Sequence, residues 1–158
     1  MSKITPCLWF DGNAEEAARF YVSLLPDSHI GAISHYTSEM PGGKPGDVLT
    51  VEFTLAGQSY MGLNGGPHFE FTPAISFSVD CEDQTEVDRL WNLLLDGGKP
   101  MQCGWITDRY GVSWQIIPRQ LPRLLKDKDP AKSRRVMEAM LKMVKIEVDD
   151  LQKAYNAA

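Results

Sequence analysis

Apolar residues recur with a period of two, then at helical spacing, then with a period of two again. Ile4, Pro6, Leu8 and Phe10 alternate with Thr5, Cys7 and Trp9, predicting a first strand over Ile4–Phe10 that is apolar on both faces. Asp11-Gly12-Asn13 breaks it. Asn13 is placed to cap a helix with Glu15 and Glu16 in its first turn, where the helix dipole favours carboxylates. Ala14, Ala17, Ala18, Tyr21, Leu24 and Leu25 form the apolar side of that helix, and Pro26-Asp27 ends it. Strand patterns follow at His29–Thr37 and Val48–Leu55, joined by a polar loop containing Pro41 to Gly46. A tight turn at Ala56-Gly57-Gln58 leads into Ser59–Leu63, which stops at Asn64-Gly65-Gly66-Pro67. The predicted order is βαβββ.

The same order then restarts. Thr72-Pro73-Ala74-Ile75-Ser76-Phe77 echoes Thr5-Pro6-Cys7-Leu8-Trp9-Phe10, and a second amphipathic helix runs through Val87, Leu90, Trp91, Leu94 and Leu95 to Gly97-Gly98. Strand signals at Met101–Thr107 and Ser113–Ile117 flank Asp108-Arg109-Tyr110-Gly111, and Pro118 closes the segment. A period of nearly seventy residues, about twice that of common solenoid repeats, points to duplicated halves of one domain. The expected fold class is therefore α+β, with paired βαβββ modules at 1–67 and 68–118 forming one domain over 1–118.

Charge separates a third piece. The chain has 158 residues and a net charge of −5. Residues 1–118 carry 6 Lys/Arg against 15 Asp/Glu, whereas residues 119–158 carry 10 against 6, so a net −9 body is followed by a net +4 tail. In that tail, Val136, Met137, Met140, Leu141 and Val144 form an apolar stripe, continued by Val148, Leu151 and Tyr155 after a break near Ile146. This predicts a C-terminal helical extension that packs on a sheet or a second subunit. The acidic average argues against a nucleic-acid or anionic-membrane partner. No apolar run reaches the roughly 20 residues of a membrane-spanning helix. Three cysteines (Cys7, Cys81 and Cys103) without a CxxC spacing give no disulfide framework, so a cytoplasmic, thiol-reducing location is expected.

Three segments carry a family resemblance: Ile4 to Ala17 with Phe20-Tyr21, Met61 to Pro67, and Cys103 to Pro118. They resemble the vicinal oxygen chelate superfamily of glyoxalases, bleomycin-resistance proteins and extradiol dioxygenases. The similarity is greatest to its PhnB-like branch, labelled 3-demethylubiquinone-9 3-methyltransferase-like. The resemblance implies curled mixed sheets around a cavity, a homodimer, and a divalent metal held by two residues from each module. The four metal positions align near Pro6, Asn64, Ala74 and Gln115. Pro and Ala have no donor side chain, and amide carbonyls are weak ligands for zinc, iron or nickel, so neither the usual metal nor another cofactor is expected. The methyltransferase label lacks support in the residues. Gly42-Gly43, Gly65-Gly66 and Gly97-Gly98 do not have the GxGxxG spacing of a nucleotide-type methyl-donor site.

The remaining chemistry suits a ligand pocket, whose candidate residues are Trp9, Asn64, Phe77, Cys103, Trp105 and Gln115. Gln115 is either a hydrogen-bonding group in the cavity or a structural amide, and Cys103 is either a nucleophile or a buried apolar thiol. The leading expectation is metal-independent binding of a small, partly apolar or aromatic molecule. The alternative is a metal-dependent lyase, isomerase or dioxygenase with a relocated site drawn from His29, His35, His68, Glu52, Glu70 and Gln115. His29 and His35 lie ~20 Å apart along an extended strand and cannot share an ion without a bend.

Overall fold

A computed structural model describes residues 2–157. The chain divides into two compact units, residues 1–71 and 72–158. The first is built from β1 (Cys7–Phe10), α1 (Ala14–Val22), β2 (His29–His35), β3 (Val48–Leu55) and β4 (Gln58–Asn64). Its sheet order is β1-β4-β3-β2, with β1 parallel to β4 and the other pairs antiparallel. The second contains β5 (Ser76–Cys81), α2 (Gln84–Leu95), β6 (Lys99–Pro100), β7 (Trp105–Thr107) and β8 (Ser113–Pro118). Its order, β5-β8-β7-β6, is the same permutation. The repeat seen in the sequence is a repeat of topology.

Each helix covers one face of its own sheet. In the first unit Leu8, Phe10, Val51, Phe53 and Leu55 are buried together with Ala14, Ala17, Ala18 and Tyr21 of α1. The small α1 residues allow close approach: a Cβ on Gly62 of β4 would lie 3.2 Å from that of Ala14. In the second unit Val87, Leu90, Trp91 and Leu94 bury against the side of the sheet that carries Ile106, Trp114 and Ile116.

Two strand boundaries differ from the expectation for physical reasons. β1 begins at Cys7 rather than Ile4, since Pro6 has no N–H to contribute to a ladder. The predicted Met101–Thr107 strand keeps only Trp105–Thr107, because Cys103 and Gly104 take left-handed conformations, with φ of 59° and 83°. That left-handed pair makes the turn between β6 and β7.

The tail forms α3 (Gln120–Leu125), α4 (Pro130–Met140) and α5 (Val148–Asn156). Leu121, Val136, Ile146 and Leu151 make a buried cluster flanked by Ile117 of β8. The β6–β7 turn is tied to this cluster, because Cys103 N–H donates to Met143 O at 2.9 Å and Gly104 N–H to Val144 O at 2.7 Å. Only glycine suits position 104, where a Cβ would approach Ile146 Cγ1 to 2.9 Å. Part of the predicted apolar stripe stays in solvent: Leu141 is 58% exposed, and Met137 and Val144 are also open.

A polar clamp fixes the segment before α5. Gln84 of α2 donates to Ile146 O at 3.0 Å and accepts from Val148 N–H at 2.7 Å, while Lys145 Nζ sits 2.7 Å from Asp88 Oδ1. The Lys145 hydrogen bond, then that from Gln84, holds the Asp88 carboxyl below its ordinary range. A carboxyl depressed in the folded state contributes stability above its unfolded pKa and loses it as pH falls through the folded one. Asp88→Asn is therefore expected to lower the urea midpoint at neutral pH, with the difference from wild type shrinking as pH falls through the depressed pKa of Asp88. The partial exposure of both side chains keeps this effect small and salt-sensitive.

Candidate functional site

The face of the first sheet opposite α1 holds a groove of about 530 Å³ lined by Thr5, His29, Gly31, Glu52, Phe53, Thr54, Ser59, Tyr60 and Met61. Strand register explains its floor. His29 pairs with Thr54 and Thr54 with Ser59, making one cross-strand row; Glu52 pairs with Met61 in the next, and an irregularity in β2 sets Gly31 beside Glu52. Alternation in β3 sends Val51, Phe53 and Leu55 into the core and Glu52 and Thr54 to this open face. Gly31 has no side chain, so the flank of Glu52 toward the sheet edge stays unfilled.

Two of the candidate pocket residues stand at one end of this unit and hold its backbone in place. Asn64 is 4% exposed, and both ends of its amide are engaged. Its Oδ1 accepts the Ala14 N–H at 2.9 Å and its Nδ2 donates to Val48 O at 3.1 Å. Asn64 thus caps α1, a role the sequence suggests for Asn13, whose side chain makes no such bond. The Tyr36 hydroxyl donates to the backbone carbonyl of Asn64. Trp9 projects from the open face of β1, donates from Nε1 to Gly66 O at 2.8 Å, and meets Phe69 edge-on at 4.9 Å. A second groove, of about 360 Å³, is bounded by Gly12, Glu15, Gly42, Asp47, Val48 and Asn64.

The other four candidates lie in the second unit and on different sides of its sheet. Phe77 packs edge-on against the buried Trp114 at 5.2 Å, on the α2 side. Gln115 and Trp105, paired across β7–β8, are half-buried on the open face, where Gln115 Nε2 donates to Ser76 Oγ at 2.9 Å. Cys103 occupies the left-handed turn beside the tail. Trp9, Phe77, Cys103, Trp105 and Gln115 line neither of the two grooves.

The cysteines differ in chemistry. Burial, reinforced by Glu86 and Asp80, pushes the Cys81 thiol up to about 12. Cys7 is exposed, with its thiol raised by partial desolvation. A thiolate-selective reagent at neutral pH is expected to label Cys7 while leaving Cys81 unmodified until denaturant is added. Mass mapping of the labelled peptides checks this order.

The inherited metal positions do not fit a metal. Pro6 and Ala74 offer no side-chain donor, the Pro6 carbonyl accepts the Met61 N–H at 3.0 Å, and the Asn64 oxygen is bound to Ala14. Among the described residues, no three His, Cys, Asp or Glu side chains come together in a metal-holding group. Of the donors considered for a relocated site, His29 and Glu52 are diagonal neighbours in the groove; His35 pairs with Val48 toward the other end of β2. The Gly pairs serve packing. Gly42 and Gly43 lie under Tyr36, Gly65 lies against the Trp9 indole, and Gly98 is wedged between the carbonyls of Leu94 and Thr107.

The duplicated βαβββ topology agrees with the fold that the family resemblance implies. The family model for 3-demethylubiquinone-9 3-methyltransferase matches residues 2–117. Among solved structures, the PhnB protein of Bacillus cereus is 39% identical over 74% of this chain and 99% of its own, with a TM-score of 0.67. Protein PA1353 of Pseudomonas aeruginosa is 23% identical over 75% of this chain and 98% of its own, with a TM-score of 0.61. No curated protein matches the chain. The protein belongs to the PhnB-like, 3-demethylubiquinone-9 3-methyltransferase-like family. Among the described residues, no helix is long and apolar enough to cross a membrane.

Proposed function

We propose that this PhnB-like protein binds a small, partly apolar or aromatic metabolite on the open face of its first sheet, without the superfamily's usual metal. The groove over the His29–Thr54–Ser59 and Glu52–Met61 rows carries this reading. It combines hydroxyl groups that orient a ligand with a thioether that accepts apolar surface. Its floor is a hydrogen-bonded sheet, so little ordering is required when a ligand arrives. The test is a titration of ¹⁵N-labelled protein with a library of small aromatic and aliphatic compounds. Saturable shifts concentrated at Gly31, Thr54, Ser59 and Met61 support the reading; a library without such shifts overturns it.

The metal-dependent alternative is favoured by one observation, the adjacency of His29 and Glu52. Elemental analysis of protein purified without added metal separates the two. A stoichiometric transition metal, lost on His29→Ala, would favour the alternative. The family resemblance also supports a homodimer, to which the exposed Met137 and Leu141 would contribute apolar surface. Sedimentation as a monomer at micromolar concentration would remove that proposal.

A further inference from the structure

Glu52 is the one carboxylate among the residues that line the groove. Glu15 is bound by Arg19 at 2.8 Å, and Asp47 accepts the Lys44 N–H at 3.0 Å. Glu52 is exposed on the groove floor and, among the described residues, its carboxylate has no ion-pair or hydrogen-bond partner. No Lys or Arg lines the groove. Residues 1–71 carry three Lys/Arg against eight Asp/Glu, so the unit's own charge of −5 attracts cations and repels anions. A carboxylate flanked by a side-chain-free Gly31 leaves room for a head group to approach from the sheet edge.

We infer that the groove selects a small organic cation: a primary or secondary ammonium on Glu52, with a short apolar or aromatic body lying along Met61. The inference rests on the groove-binding reading and names its ligand class. The hydroxyls of Thr5, Thr54 and Ser59 accept hydrogen bonds from the remaining ammonium protons, which a carboxylate alone leaves unsatisfied. A divalent metal ion is a poorer occupant. One carboxylate and one imidazole fall short of the about six oxygen ligands that calcium or magnesium takes, and of the three protein ligands of an open zinc site. A carboxylate ligand would meet Glu52 with no cation from lysine or arginine to offset it.

The experiment uses full-length ¹⁵N-labelled protein and three probes of one shape: benzylamine, benzyl alcohol and benzoate. Wild type is compared with Glu52→Gln, which keeps the shape and removes the charge, and with Gly31→Leu, which fills the space beside residue 52 and keeps the charge. Benzylamine is expected to shift the Gly31, Thr54, Ser59 and Met61 amides saturably. It should bind about tenfold more weakly to Glu52→Gln, as the loss of one charge-assisted hydrogen bond predicts. Benzyl alcohol should be weaker than benzylamine by a similar factor in wild type, benzoate should be weakest, and Gly31→Leu should bind none. If all three probes bind wild type equally, or Glu52→Gln binds benzylamine unchanged while Gly31→Leu does not, the cation inference fails and groove binding stands. If no probe shifts those four amides, both fail.

Discussion

Asp108→Ala is expected to destabilise the protein by about 3–5 kcal/mol, a loss large enough to unfold many domains. Asp108 is 3% exposed at the end of β7, and its carboxylate organises the turn into β8. Oδ1 accepts the N–H groups of Tyr110 at 2.8 Å and Val112 at 3.1 Å, and Oδ2 accepts Trp114 Nε1 at 2.9 Å. Truncation strands these donors, of which Val112 and Trp114 lie in buried residues, and each pays a desolvation penalty of about 1–3 kcal/mol unless water reaches it. Asp108→Asn should cost less, about 1–3 kcal/mol. Its amide oxygen can still serve the two backbone donors, while its NH₂ opposes the indole N–H. Denaturant melts of both variants, followed by Trp fluorescence, check the order. A cost below about 1 kcal/mol for the alanine variant would refute the bonding scheme.

Removal of residues 119–158 is expected to have the second large effect: loss of a cooperatively folded second unit rather than release of a detachable tail. The deletion takes away Leu121, Val136, Ile146 and Leu151, all buried, and uncovers Ile117. It also strands the Cys103 and Gly104 N–H groups and the Gln84 amide oxygen. Burial of four aliphatic side chains is worth about 1.5–3 kcal/mol each, of the same order as the whole stability of a domain. Near-ultraviolet circular dichroism of the truncated protein should lose the signals of the second unit, and its amides should collapse toward random-coil positions. A truncated protein that keeps native dispersion at residues 76–118 would show that the tail is an appendage. This outcome governs how pull-down experiments with such a truncation are read, since lost partners would report unfolding and not an interaction module.

The rows that make the groove were present in the sequence as the alternation Val51, Phe53, Leu55 against Thr50, Glu52, Thr54. Read for faces, that pattern marks Glu52 as pointing away from the core. What it lacks is the neighbour on the next strand. The polar loop between β2 and β3 hides their register, and β2 carries irregularities between Ile30 and Ile33 and at Ser34–His35. The placement of Gly31 beside Glu52 therefore could not be counted from the turn. Side-chain chemistry alone makes Trp9, Asn64 and Phe77 pocket candidates. Burial and bonding, which depend on distant parts of the chain, place Asn64 as the cap of α1 across fifty residues and Phe77 against Trp114.

The net charge conceals two opposed parts, and the structure shows how they meet. Charge and amphipathic spacing predict a basic helical tail, and the charge contacts that join it to the acidic body are local: Lys145 on Asp88, with Gln84 between, and Arg119 at 3.7 Å from Asp80. The exposed Met137 and Leu141 show the limit of periodicity, which identifies an apolar stripe without saying how much of it the fold has surface to cover. From sequence alone came the βαβββ order, its duplication, the start of α1 and the Asp108–Gly111 turn. These follow from backbone preferences and from which residues avoid water, and both act over a few positions. The strand order, the placement of Gly31 beside the Glu52–Met61 pair, the cap supplied by Asn64 and the seat of the tail were decided by tertiary structure. Each is a contact between residues far apart in the chain, and local pattern carries no record of distance in space.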